Sequence, residues 1–408
     1  MCMNDDALLT ELRPKNVASS SPPGVRMSST VSSSSSDGSE SDDSRDVSGG
    51  HSIVPSRDTN ATTSATKGTI ARRRIQPNNS ILGKEQRPSW RSIVSSASSG
   101  ILNATFWIIF SLYFPFILAP EAATKTYHQA SFQYVDGISH FDTTAWTYGT
   151  DYALAVIMAL LVASILRYSR PNVSDRLCKR SASLLILYGV SVTAGGIAHQ
   201  NFVTLESRNT LAFRFLWTVC VGTVCSASCS MGMIGTEAVQ RFQEKSLRDG
   251  QKTLDSSPSS LLLRVPVLSE TFWIAFGSAV TAFCAAGGLS FQRPACDIFV
   301  AGITQSPSTF YCMIFFFTVQ HPRVAIWAKV TGLVGFILNA PLLPMYPLLV
   351  QYTDLSLASV NTLLHSWLCV AWSMQGISMQ HVIQALVADD EEEKRVSVQS
   401  TPSAKKMH

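Results

Sequence analysis

The chain has 408 residues, of which 46% are hydrophobic and only 15% charged, with a formal net charge of +4. Soluble domains carry about a quarter charged residues, so an ordinary soluble domain is excluded. With no basic-aromatic patch beside that small positive balance, so is a nucleic-acid binder.

The chain opens on a Ser-, Gly-, Asp- and Arg-rich segment, and the stretch 31–44, VSSSSSDGSESDDS, is low-complexity and acidic. Such a sequence cannot bury enough apolar surface to offset its ordering entropy. Residues 1–95 are therefore expected to be a disordered tail. No apolar core run occurs in the first 30 residues, so no signal peptide is expected.

From residue 98 onward, apolar runs of membrane-spanning length recur. The hydropathy pattern predicts eight: about 98–119, 151–168, 181–203, 210–235, 269–291, 297–319, 324–350 and 356–387. The fold class is thus an all-α polytopic bundle of eight transmembrane helices over 96–388, followed by a second disordered tail, 389–408.

Loop charges orient the bundle. Arg72, Arg73, Arg74, Lys84, Arg87 and Arg91 precede the first run. Arg170, Arg176, Lys179 and Arg180 follow the second, and Arg241, Lys245, Arg248, Lys252 and Arg264 follow the fourth. Arg323 follows the sixth, and Lys394, Arg395, Lys405 and Lys406 follow the last. The intervening loops hold Lys125, Arg208 or Arg293 alone, or no basic residue. Eight helices with both termini cytosolic satisfy this alternation. The sequons at Asn60, Asn78 and Asn172 then fall on the cytosolic side, where no glycan is expected.

Several runs carry internal punctuation. In the fourth, Gly222, Ser226 and Ser230 recur every fourth residue, a spacing that lets helices approach closely. In the sixth, GITQSPSTFY places Pro307 mid-run, where it removes a helix hydrogen bond. Gln305, Ser306, Ser308 and Thr309 stand ready to satisfy the freed groups. In the seventh, Pro341, Pro344 and Pro347 should bend the outer end. TAGGIAHQ (193–200) is similar to AAGGLSFQ (285–292), a short echo of the repeats found in transporters. The nine cysteines lie mostly in apolar runs with no Cys-x-x-Cys pair, so neither disulfides nor a zinc finger is inferred.

The polar residues inside the runs point to a site. VNTLLH puts Asn361 and His365 one helical turn apart near the start of the eighth helix. The third helix ends YGVSVTAGGIAHQNF, with His199 near its outer end and Ser191 two turns back. The topology brings His199, Asn361 and His365 to one depth in the outer half of the bilayer. A polar pocket is predicted from these three with Ser191, Gln305 and Asn209. Intramembrane ionisable side chains are costly and lean towards function, while the plain alternative for these residues is hydrogen bonding between helices or at the interface.

This arrangement resembles the seven-helix membrane hydrolase superfamily of alkaline ceramidases, Per1 proteins and progestin/adiponectin receptors. The first helix would be an extra span, and the other seven the core. Members hold zinc with Ser-x-x-x-His on core helix 2, Asp on core helix 3 and His-x-x-x-His on core helix 7. The resemblance implies a zinc site with His199 and His365 as its metal ligands. Gly195 stands in place of the Ser, Asn361 in place of a His, and ESRNTLAFRF offers Asn209 but no Asp. Two imidazoles alone are an incomplete set for catalytic zinc. The functional expectation is therefore a non-enzymatic, receptor- or sensor-like bundle that binds a lipid or small molecule in its outer half. A lipid-amide hydrolase and a transporter are the alternatives.

Overall fold

The computed structural model describes residues 89–121, 143–168, 175–248, 265–290, 294–318 and 323–400. Residues 1–88, where most of the expected N-terminal tail falls, lie outside the described residues. The described chain is all-helical: α1 Trp90–Leu118, α2 Ala145–Arg167, α3 Asp175–Asn201, α4 Leu205–Arg208, α5 Leu211–Arg248 and α6 Glu270–Ser290. These are followed by α7 Pro294–Ile303, α8 Ser306–Thr318, α9 Ile326–Asn339, α10 Leu342–Tyr352 and α11 Leu357–Ser400. Four helices (α1, α2, α3 and α5) are long and apolar enough to cross a membrane, and α9 with α10 makes five if that bent pair is one span. The protein is therefore read as membrane-embedded.

Local chemistry sets the helix ends. Ser89 caps α1, its Oγ accepting from the Ser92 N–H. Thr144 caps α2 by accepting from the Thr147 N–H at 3.2 Å. This cap starts α2 six residues before the expected 151, so Asp151 lies inside the helix. At the other end of the bundle, α3 begins at Asp175 where 181 was expected.

Proline breaks two of the runs. The sixth run divides into α7 and α8 around Thr304 and Gln305. Pro307 then sits in the first turn of α8, where its missing N–H leaves no bond unmade. Thr304 Oγ1 donates to Val300 O at 2.7 Å and Ser308 Oγ to Gln305 O at 2.9 Å, which repairs the break locally. The seventh run bends by 59° between α9 and α10. The last run does not stop where expected: α11 continues through 389–400, which had been expected to be irregular. Glu and Lys there are good helix formers.

α2, α3, α5, α8, α9 and α11 close a ring, each packed on the next and α11 back on α2. Leu154, Met158, Leu185, Tyr188, Met231, Phe316, Phe336 and Trp372 fill its core. A second core joins α5 to α6, α7 and α1 through Trp217, Phe272, Trp273, Phe276 and Val300. The small-residue stripe of α5 makes the α5–α6 contact. Ser226 Oγ lies 3.1 Å from Thr281 Oγ1, and the bare Cα of Gly232 receives the Trp273 indole. α1 lies outside the ring, against α6, α7 and α10.

Charge also ties the helices together. Arg180, a residue of α3 where a loop had been expected, is buried. It donates to Glu237 Oε2 of α5 at 2.9 Å, to Met233 O at 3.1 Å and to Glu270 of α6. Arg241 adds a 3.0 Å contact to the other Glu237 oxygen. The described cysteines form no disulfide.

Candidate metal centre

The start of α2, the end of α3 and the start of α11 meet at one end of the ring. There His365 Nδ1 lies 3.0 Å from Asp151 Oδ1. The His199 and His365 rings stand edge to face with centroids 5.4 Å apart. Asp151, His199 and His365 each offer a ligand atom, and these atoms all lie within 4.8 Å of one another. Asp151 is 3% exposed and His199 7%. The Trp217 ring meets His199 edge-on at 6.1 Å and walls the cluster on the α5 side.

Glycine admits the carboxylate. A Cβ at Gly195 would lie 3.6 Å from Asp151 Oδ2 and 3.3 Å from Cys220 Sγ. A Cβ at Gly196 would meet Tyr152 at 2.9 Å and Asp151 Cβ at 3.2 Å. The Gly195–Gly196 pair thus lets α2 press onto α3, delivering the Asp151 carboxylate to the histidines. Gly195 is the residue expected at the Ser position of the resembled motif. The space where a Ser side chain would start adjoins a carboxylate from the neighbouring helix.

Two imidazoles and one carboxylate form the three-ligand set of catalytic zinc, which keeps its fourth position open. Tetrahedral donors about 2 Å from one ion stand about 3.3 Å apart. The His365–Asp151 edge is already that short, and the other edges are 4.8 Å at most, so an ion would draw the donors together by up to about 1.5 Å. The donor set fits a divalent ion of the zinc type.

The other expected pocket residues do not join this cluster. Asn361 lies one turn from His365 but donates through Nδ2 to Thr147 Oγ1 of α2 at 3.4 Å, rather than facing α3. The reason is that α11 packs along α2 and only touches α3. Ser191 donates to Cys220 O of α5 at 2.8 Å. Eight residues rotate a helix about 80° past two full turns, which carries Ser191 off the His199 face. Gln305 accepts from the Tyr188 hydroxyl at 3.3 Å. Tyr188 stands eleven residues, about 16 Å of helix, from His199. Asn209 is exposed in the turn before α5, its N–H donating to Glu206 O.

Sequence reasoning missed Asp151. It stands as the first residue of the expected run 151–168 and was not singled out. The usable signal was the Thr144–Thr147 capping pattern, which moves the helix start outward and leaves Asp151 as a lone acid on its second turn.

No protein-family model matches the chain, and no curated protein sequence or solved structure matches it either.

Proposed function

We propose that this chain is an eight-span membrane protein whose Asp151, His199 and His365 hold a divalent metal, and that it hydrolyses the acyl bond of a membrane lipid. α6, the α7–α8 pair and α11 supply the remaining spans, α9 with α10 counting as one. The alternating basic loops support an orientation with both termini in the cytosol and the cluster in the outer half of the bilayer. The single observation that carries the reading is the third donor. With Asp151 beside the two histidines, the ligand set that was incomplete in the sequence becomes complete. On this reading the chain is a variant of the resembled superfamily, with a carboxylate from the first core helix in place of the missing ligands.

When bound, the metal supplies Lewis acidity at the acyl carbonyl. The protein supplies the rest. Asp151 Oδ1 is engaged by His365, while Oδ2 lies toward the bare Cα of Gly195, placed to take the proton of an incoming water. The water oxygen bonds to the carbonyl carbon, the bond from carbon to nitrogen or oxygen breaks, and the proton passes to the departing amine or alcohol. Tyr152, one residue along α2, donates to Gln200 Oε1 at 2.6 Å and holds the α2–α3 register that this alignment needs.

Elemental analysis of the purified full-length protein tests the reading, together with turnover of long-chain N-acyl and O-acyl lipids in nanodiscs. One metal per chain is expected. Asp151→Ala, His199→Ala and His365→Ala should each lose both the metal and the turnover. A protein that binds no divalent metal overturns the proposal.

The second reading is a lipid sensor that does not turn its ligand over. It is favoured by the Asp151–His365 pair, which satisfies both groups without a metal. Metal-free protein that binds lipid stoichiometrically would select it. A transporter draws support from the α7–α8 break and the α9–α10 bend.

A further inference from the structure

Away from the metal cluster, a groove of about 630 Å³ runs along the outside of the ring between α2 and α3, with α5 closing one end. Ala155, Ala159 and Ala163 of α2 and Gly189 of α3 line it with the smallest side chains the chain can offer. Ala159 and Ala163 are exposed. Ile186 and Val190, 46% and 42% exposed, flank them on α3. Among the described residues the only polar side chain in the lining is Thr193, and its hydroxyl already donates to Gly189 O at 2.7 Å. The groove thus suits a hydrocarbon chain and gives a polar molecule nothing to bond. Along α2 the lining extends from Ala155 to Leu166, about 16 Å of helix. One leaflet of a bilayer holds about 15 Å of hydrocarbon.

The cytosolic end of the groove is charged. Ala155, Ala159, Ala163 and Arg167 recur every fourth residue, so Arg167 continues the alanine stripe. Lys179 lies seven residues, two helical turns, before Ile186 and so on the same face of α3. The two helices are antiparallel, and a Cβ at Gly189 would lie 3.4 Å from Met158 Cβ. Continued from that contact, the register brings Arg167 level with Lys179 and Arg180. Arg180 is turned inward and buried, whereas Arg167 and Lys179 are exposed. Two cations therefore stand at one depth, one on each side of the groove, where the cytosolic leaflet presents its headgroups.

We propose that this groove binds an anionic phospholipid of the cytosolic leaflet, with an acyl chain along the alanine stripe and the phosphate between Arg167 and Lys179. The bare floor brings the chain close to two helix backbones, which multiplies its dispersion contacts over those on a flat helical surface. Anionic headgroups are drawn to basic residues at this boundary. Small residues at four-residue spacing also admit a partner helix. A second copy seated on the same face would bring two more cations to the same depth, and that repulsion favours the lipid. The site shares no residue with the metal cluster, and its test is independent of metal and of turnover.

The experiment is native mass spectrometry of the full-length protein in mild detergent, titrated with dioleoyl phosphatidylserine or dioleoyl phosphatidylcholine, which have identical chains. Wild type should saturate at one tightly held phosphatidylserine per chain, preferred over phosphatidylcholine by roughly 10- to 30-fold, the worth of two basic residues at an anionic headgroup. The double variant Arg167→Gln, Lys179→Gln should bring phosphatidylserine down to the level of phosphatidylcholine, with phosphatidylcholine itself within about twofold of wild type. Arg170 and Arg176 remain in that loop to keep its orientation. Ala159→Leu with Ala163→Leu fills the groove from two exposed positions, where leucine is a good helix former, and should weaken both lipids by about tenfold or more. Unsaturable binding overturns the inference, as does a phosphatidylserine preference that survives the charge variant or lipid binding that survives the leucine pair. A wild-type dimer that the leucine pair dissociates gives the groove to a second copy and overturns it too.

Discussion

At Asp151, a carboxylate with 4% of its side chain exposed is held by an imidazole, inside a helix that otherwise carries no acid. Removing one partner of such a pair strands the other, and that asymmetry outweighs the modest net worth of the bond. His365→Leu should therefore destabilise by on the order of 1–3 kcal/mol, read as a lower unfolding temperature of the metal-free protein in detergent. The double variant Asp151→Leu, His365→Leu should lose less than the sum of the two single losses. A strictly additive result would show that the pair is not coupled. Gly196→Ala presses a methyl group into the Tyr152 ring and Asp151 Cβ, so it should loosen metal binding by about tenfold or more with little change in secondary structure. Much of this scale was legible in the sequence. The four-residue spacing of Asn361 and His365, and the matched depth of His199, follow from helix geometry and topology alone. Asp151 was hidden because a hydropathy window starts a helix at its first apolar run, whereas the chain starts it at a hydroxyl cap.

At the scale of elements, the described parts of the apolar runs are helical, four or five of them long and apolar enough to cross a membrane, and their edges follow caps and prolines more than hydropathy. Pro307 illustrates the difference. Mid-run in the sequence it reads as a kink, but the structure puts it in the first turn of a new helix. Pro307→Ala should accordingly change stability by less than about 1 kcal/mol, far below the roughly 3 kcal/mol of a proline in a helix interior. A large stabilisation on that replacement would show that α7 and α8 form one strained helix. Arg180 illustrates the converse. Counted as a loop charge, it is in fact the hub of α3, α5 and α6. Arg180→Leu removes the guanidinium shared by Glu237 and Glu270, but Glu237 keeps Arg241 and Glu270 is half exposed, so the cost should be on the order of 1–3 kcal/mol. Arg180→Lys keeps the charge but not the fork, and should fall between the two in thermal stability.

For the whole molecule, loop charges were readable but ion pairing was not, because a single sequence gives the side of a charge and not its partner. Sidedness has a direct test. An acceptor sequon placed near Gly137 should be glycosylated in cells, while native Asn172 should not, and glycan on Asn172 would invert the bundle. Removal of residues 1–65 should leave insertion and detergent extraction unchanged, since that stretch offers no apolar run to the core. The Arg180 hub carries one more consequence, in time rather than space. Glu237 lies 57 residues and Glu270 90 residues further along the chain. At about 5–20 residues per second, Glu270 leaves the ribosome roughly 5–18 s after Arg180. Arg180 meets its first acid when Glu237 follows, and the hub is complete only when Glu270 does. A nascent chain arrested before Glu270 therefore holds Arg180 against Glu237 alone, and only the arrival of α6 closes the three-helix contact.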